Sequence, residues 1–359
     1  MKNLSEVRML QCVFGTSICN LSCLYCGWPK RLINISNLEE KEATKRIVQM
    51  HNFMKVKLPN CNIFAITGGE PLLFPVLIKA MLDVFKDIHV KISTNALNLN
   101  KDYLKMFKRH GNVSLCISLD GSTFNSNRCR YKNKQIFDLV VKNIEEALAD
   151  GFLVEISCVL NKYNIDEFGT FCQWIDKKWS KYIDQVVLIA YPITTYTRIP
   201  GEETKYMYGS KQAQKLVNYL RQNIEKIKIL SQTPKYYYDL ADFLENKLCK
   251  EYNCQKYKWC LTVEYVDCSL WKSGNLISYG CGTKGDKSLG MFNLEEKIDQ
   301  DLLVERKNSK FTERYFQEGF GECQKHCFTN WHMIDMLYRG SYKHTLPKWC
   351  AVYSHKKYY

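Results

Sequence analysis

The sequence predicts an α/β protein: an open, partial (β/α)6 barrel joined to a cysteine-rich unit. Three observations predict it. Strand-like and helix-like runs alternate from residue 8 to about 229, the pattern of βα units and a parallel sheet. Each conspicuous polar motif in that stretch stands at the carboxyl end of a strand run, where such folds collect their chemistry. After Leu230 the alternation stops, and eight of the chain's 17 cysteines follow. Six units fall short of the eight that close a full barrel, so the sheet is expected to stay open. The expected division is residues 1–230 for the barrel and 231–359 for the cysteine-rich unit.

The first strand is expected over 8–14, and the octapeptide C-N-L-S-C-L-Y-C follows it, placing Cys19, Cys23 and Cys26 in one loop. A helix is expected over 39–57 and a second strand over 62–67, ending in I-T-G-G-E-P. A Gly-Gly pair at a strand's end lets backbone approach a ligand closely. After a helix over 75–86, the third strand (89–94) leads into I-S-T-N-A. A helix over 100–109 precedes the fourth strand (113–119), which ends in I-S-L-D-G. Strand parity turns Val113, Leu115, Ile117 and Leu119 to the outer helices and Cys116, Ser118 and Asp120 to the barrel interior. Asp120-Gly121 also has the composition of a plain turn. The helix over 134–150 is marked by Phe137, Val140, Val141, Ile144 and Leu148 at helical spacing, with Gly151 as its stop. A fifth strand (153–160), a helix over 165–179 and a sixth strand (185–191) follow. The last helix, 210–229, carries one apolar stripe of Ala213, Leu216, Val217, Leu220, Ile224 and Ile227.

Composition narrows the classes. No apolar run approaches the roughly 18 residues of a membrane span, and M-K-N-L-S-E-V-R-M-L lacks the apolar core of a signal peptide. A cytoplasmic protein is expected. Such a chain does not keep disulfides, so its many thiols point to metal or redox chemistry mixed with buried cysteines. Structural zinc takes four ligands. His51, the histidine nearest to the three-cysteine loop, lies on a separate helix. Three thiolates in one loop suit a [4Fe–4S] cluster with one iron left open. The net charge of +14 reads mainly as a solvated basic surface, because the lysines are scattered.

Taken together, C-N-L-S-C-L-Y-C, T-G-G-E-P, I-S-T-N-A and I-S-L-D-G resemble the radical S-adenosylmethionine (radical SAM) enzymes, over about residues 8–200. The resemblance implies that Cys19, Cys23 and Cys26 hold a [4Fe–4S] cluster whose open iron binds S-adenosylmethionine. It implies reductive cleavage to a 5′-deoxyadenosyl radical that takes a hydrogen from the substrate. It also implies roles by position. Gly68, Gly69 and Glu70 hold the methionine amino group, and Tyr25 lies against the adenine. Ser93 and Asn95 reach the ribose or methionine, while Ser118 and Arg130 bind the carboxylate. Arg128 is a rival to Arg130 in N-R-C-R-Y. An electron donor such as flavodoxin or ferredoxin is implied as a partner.

Beyond the barrel, V-D-C-S-L-W-K-S-G-N-L-I-S-Y-G-C reads as a hairpin turning at Ser273-Gly274-Asn275. With C-Q-K-H-C further on, it resembles the SPASM and twitch extensions of the same superfamily, which hold auxiliary iron–sulfur clusters. The departures are a longer Gly274-to-Cys281 gap and a closing C-x3-C. The set expected to hold an auxiliary [4Fe–4S] cluster is Cys260, Cys281, Cys323 and Cys327, with Cys268 as the alternative to Cys260. Cys249, Cys254 and Cys350 are spare thiols for a second cluster. Zinc on the same four cysteines is the alternative metal. Relatives with such extensions act on ribosomally made peptides or on small molecules including nucleotides. A peptide substrate is the leading expectation. A small molecule or nucleotide stands second, and RNA is a further, less favoured partner that would show steep salt dependence. A zinc protein without enzymatic activity is the remote alternative.

Overall fold

The computed structural model describes residues 9–13, 18–26, 37–58, 61–193 and 205–245, and three strand segments at 265–269, 276–278 and 291–293. Six strands run parallel in chain order: β1 (Met9–Val13), β2 (Ile63–Thr67), β3 (His89–Thr94), β4 (Val113–Ser118), β5 (Val154–Leu160) and β6 (Val186–Pro192). Each agrees with its expected position to within a residue or so. The helices α1 (Asn37–Lys57), α2 (Pro75–Val84), α3 (Lys101–His110), α4 (Lys134–Ala149) and α5 (Phe168–Lys178) fill the crossovers. β6 does not pair with β1, so the sheet is open, as the unit count implies.

The crossover helices are stopped and started by local chemistry. Asn100 caps α3 by accepting from the amides of Asp102 and Tyr103, and Gly111 ends it at φ 70°. Asn133 caps α4 on the Ile136 amide, and Gly151 at φ 87° stops it. Alternate strand residues (Val113, Leu115 and Ile117 on β4; Val154, Ile156 and Cys158 on β5) join the helix stripes in one hydrophobic core.

Two elements depart from the sequence reading. The expected helix over 210–229 is two helices, α6 (Ser210–Asn223) and α7 (Lys228–Ser231). Asp176 of α5 accepts from the amides of Lys228 and Ile229 at 2.8 Å each, which starts a fresh helix there. The apolar stripe from Ala213 to Ile227 is buried across the break. A further helix, α8 (Pro234–Leu244), follows. Its Tyr236 and Tyr237 hydroxyls donate to the Ala190 and Leu188 carbonyls, at 2.6 and 2.9 Å. Carbonyls two residues apart point the same way from a strand, so α8 covers one edge of β6. The barrel's core therefore runs on through Tyr236, Tyr237, Leu240 and Ala241.

On the other side of β1 stands β7 (Tyr265–Ser269), parallel to it from Met9↔Tyr265 to Val13↔Ser269. β8 (Leu276–Ser278) pairs antiparallel with β7, as expected of the hairpin, and β9 (Met291–Asn293) pairs antiparallel with β8. Met291 and Phe292 of the L-G-M-F segment thus lie in a strand. No helix among the described residues is long and apolar enough to cross a membrane.

The barrel interior is polar. Lys91 donates to Glu155 at 2.7 Å with both side chains nearly buried, and Cys116 Sγ lies 3.3 Å from the other Glu155 oxygen. One layer below, His89 Nε2 is 2.9 Å from Ser114 Oγ. Burial, then the neighbouring Lys91 charge, push the His89 pKa down from 6.5 to about 4. Between those values the unfolded chain takes a proton that the folded chain refuses. This contribution is therefore complete above pH 6.5 and is lost as pH falls towards 4, on the order of 3 kcal/mol. Urea unfolding at pH 7 and pH 4.5 should show a smaller acid penalty for His89→Asn than for the parent protein; equal penalties would mean that folded His89 protonates freely.

Candidate active site

The carboxyl ends of β1 to β5 converge on the three-cysteine loop. Cys19, Cys23 and Cys26 are all partly exposed, and none of them is in a disulfide. The loop is pinned from two sides. The Glu70 amide donates to the Ile18 carbonyl at 2.8 Å, and the Leu24 amide donates to the Cys129 carbonyl at 2.7 Å. N–H groups face the sulfurs: Leu21 N lies 3.4 Å and Asn95 Nδ2 3.7 Å from Cys19 Sγ, and Arg130 Nη1 lies 4.0 Å from Cys23 Sγ. Burial pushes the Cys23 thiol up to about 11, with Arg130 pulling the other way. His51 stands apart, its ring edge-on to Phe85 on the helical layer.

Beyond β2, Gly68 and Gly69 take φ 81° and 57°, a left-handed pair that side chains disfavour. Glu70 turns inward and is buried. Its carboxylate accepts from Thr94 Oγ1 at 2.6 Å, the Asn95 amide at 2.7 Å and the Leu72 amide at 3.0 Å. Burial pushes its pKa up against those three donors. The side chain thus ties the end of β2 to the end of β3. Asn95 is similarly occupied: its Nδ2 donates to Asn20 Oδ1 at 2.8 Å and its Oδ1 accepts from the Leu97 amide at 2.9 Å. Ser93 and Ser118 are partly exposed on the interior face of β3 and β4, and the Ser118 carbonyl accepts from Tyr131.

At the end of β4, the Asp120 side chain is fully buried. It accepts from Arg130 Nε at 3.3 Å and Nη2 at 3.1 Å, from the Val159 amide at 3.0 Å and from the Tyr25 hydroxyl. Tyr25 therefore has its phenol turned to β4 rather than to solvent. Burial alone would lower the Arg130 pKa; Asp120, Tyr25 and Cys23 outweigh it and hold the guanidinium charged. Arg128, the rival, lies with its guanidinium carbon 3.7 Å from the centre of the Tyr163 ring. The connecting loop is stiff. Asn127 accepts from the Asp120 amide and donates to the Gly121 and Thr123 carbonyls, and a Cβ at Gly121 would come within 2.3 Å of Ser126 Cβ.

Sequence reading brought together Cys19, Cys23, Cys26, Tyr25, Glu70, Asn95 and Arg130, and the structure gathers them. It left Asp120 undecided between turn and site, and it missed Thr94, the hydroxyl that holds Glu70. Parity was the available signal for Asp120. Cys116 is buried on Glu155, with its thiol pushed up to about 12 by burial and that carboxylate. Cys268 lies in β7 opposite Cys12 of β1. Cys249, Cys254, Cys260, Cys281, Cys323, Cys327 and Cys350 lie outside the described residues.

Residues 13–175 of the chain match the Radical SAM superfamily. It is 30% identical over 167 residues to a GTP 3′,8-cyclase of Aliarcobacter butzleri, covering 44% of this chain and 50% of that protein. It is 30% identical over 161 residues to the mycofactocin maturase MftC of Mycobacterium tuberculosis, covering 43% and 39%. The chain thus spans half or less of the length of these two relatives. Among solved structures, native anSMEcpe with bound AdoMet shares the fold at a TM-score of 0.59, with 18% identity over 91% of this chain and 88% of that one. Streptococcus suis SuiB bound to its precursor peptide SuiA does so at 0.54, with 15% identity over 86% and 67%.

A Radical SAM domain implies a [4Fe–4S] cluster and S-adenosylmethionine, and the donor set fits them. Among the described residues no three His, Cys, Asp or Glu side chains converge tightly enough for a single ion. A cluster takes one thiolate per iron, which the three cysteines of the loop can supply. The N–H groups facing Cys19 and Cys23 suit sulfurs carrying negative charge.

Proposed function

We propose that this protein is a radical SAM enzyme that modifies a ribosomally synthesised peptide. The observation that carries the enzymatic reading is the three-thiol loop held between the Gly68-Gly69 turn and Arg130. When bound there, the cluster and S-adenosylmethionine supply one-electron cleavage to methionine and a hydrogen-abstracting 5′-deoxyadenosyl radical. Everything else falls to the chain. Cys19, Cys23 and Cys26 hold three irons. The left-handed Gly68 and Gly69 leave backbone polar groups uncovered for the methionine amino group, and Glu70 and Asn95 act by fixing that turn and the cysteine loop. Arg130 offers the methionine carboxylate the edge that Asp120 does not occupy, with Ser118 and Ser93 beside it on the interior face. Tyr25 presents its ring to the adenine. The polar interior around Lys91, Cys116 and Glu155 lies below and keeps the strands packed.

The extension is proposed to be a twitch-like unit after α8, with an auxiliary [4Fe–4S] cluster on Cys260 or Cys268, Cys281, Cys323 and Cys327. The peptide reading is supported by the maturase among the relatives and by the fold shared with SuiB. A nucleotide or other small molecule is the second reading, supported by the GTP 3′,8-cyclase relative. The test is to incubate anaerobically reconstituted, reduced protein with S-adenosylmethionine and either short peptides encoded beside its gene or GTP. A mass change in a peptide, together with 5′-deoxyadenosine, supports the proposal. Conversion of GTP with no peptide turnover replaces it with the second reading.

A further inference from the structure

Asp120 stands where three segments meet. Tyr25 comes from the cysteine loop, Arg130 from the loop after β4, and the Val159 amide from β5. Its own backbone is fixed as well, the amide by Asn127 and the carbonyl by Asn164 Nδ2 at 2.8 Å. A fully buried carboxylate with this many donors is there for its charge and direction, since a turn needs neither. Its charge cancels that of Arg130, whose Nη1 lies 4.0 Å from Cys23 Sγ. Its direction fixes which edge of the guanidinium faces the cysteine loop.

We propose that Asp120 is a positioning residue that aims Arg130 at Cys23 and balances its charge, so that the pair sets the ease with which the metal centre at Cys23 accepts an electron. The proposal rests on the reading of Cys23 as a cluster ligand. A buried positive charge near a cluster stabilises its reduced, more negative form, and a buried negative charge opposes it. The pair together is nearly neutral at that distance, whereas either member alone is not.

The experiment measures the midpoint potential of the reconstituted full-length protein without S-adenosylmethionine. The relevant signal is the part that vanishes when Cys19, Cys23 and Cys26 are all replaced by Ala. Asp120→Asn leaves Arg130 uncompensated and should move the potential positive. Arg130→Gln leaves Asp120 uncompensated and should move it negative. The double variant removes both charges and should return close to the parent value. A role confined to packing would move the single variants in the same direction or not at all, and either result overturns the proposal. If Asp120→Asn does not fold, Arg130→Gln decides alone: a negative shift supports the proposal, and no shift or a positive one overturns it. Absence of any signal that depends on the three cysteines would instead sink the cluster reading itself.

Discussion

Cys23→Ala protein, reconstituted anaerobically with iron and sulfide, should lose about four irons per chain relative to the parent. It should also yield no 5′-deoxyadenosine from S-adenosylmethionine and dithionite. Cys23 lies between the other two thiols in the loop, and Arg130 faces it. Removing one of three thiolates leaves a cluster with two protein ligands, too few to hold it against loss. The fold should survive, because the loop is pinned by backbone bonds from Glu70 and Leu24 that the substitution does not touch. Circular dichroism and the unfolding midpoint of the iron-free protein should therefore match the parent. A variant that kept its full 5′-deoxyadenosine yield would refute the assignment of this loop. Iron that remained in a Cys19/Cys23/Cys26→Ala triple variant would belong to the extension and would favour a cluster there over zinc.

Glu70→Ala should be the most damaging single substitution for stability near the site. It removes the acceptor of three buried donors: the Thr94 hydroxyl and the amides of Asn95 and Leu72. An orphaned buried donor costs roughly 1–3 kcal/mol, so the three together should cost about 3–9 kcal/mol. Glu70→Gln keeps one carbonyl oxygen and should cost about half as much. Urea unfolding of the iron-free proteins tests this, and an Ala variant within about 1 kcal/mol of the parent would show that the network does not hold β2 to β3. The loaded protein should also bind S-adenosylmethionine more weakly, since the Gly68-Gly69 turn loses its anchor.

The parts of this molecule that were legible in the sequence are those that local chemistry decides. Strand and helix runs in the barrel follow from apolar periodicity, and Gly151 marks a boundary by a left-handed conformation open to few other residues. The cysteine loop and Gly68-Gly69 were visible because their residue types are rare in that spacing. What escaped was decided by distant partners. The break between α6 and α7 comes from Asp176 on another helix. α8 is recruited by carbonyls of β6 that periodicity does not reveal. Asp120 looked like half of a turn, because its partners come from the cysteine loop, the loop after β4 and β5. The pairing of β7 with β1 had no local signature at all.

That last pairing has a consequence for how the protein is made. β1 leaves the ribosome well before β7, which flanks it and lies about 250 residues further on. Until that stretch has been synthesised, the strand that leads into the cysteine loop has an open edge able to pair with a foreign strand. The first strand is therefore finished only after the whole barrel has been built. Completion of β1 becomes a late event, and a chain cut off before residue 265 should aggregate rather than accumulate as a working barrel.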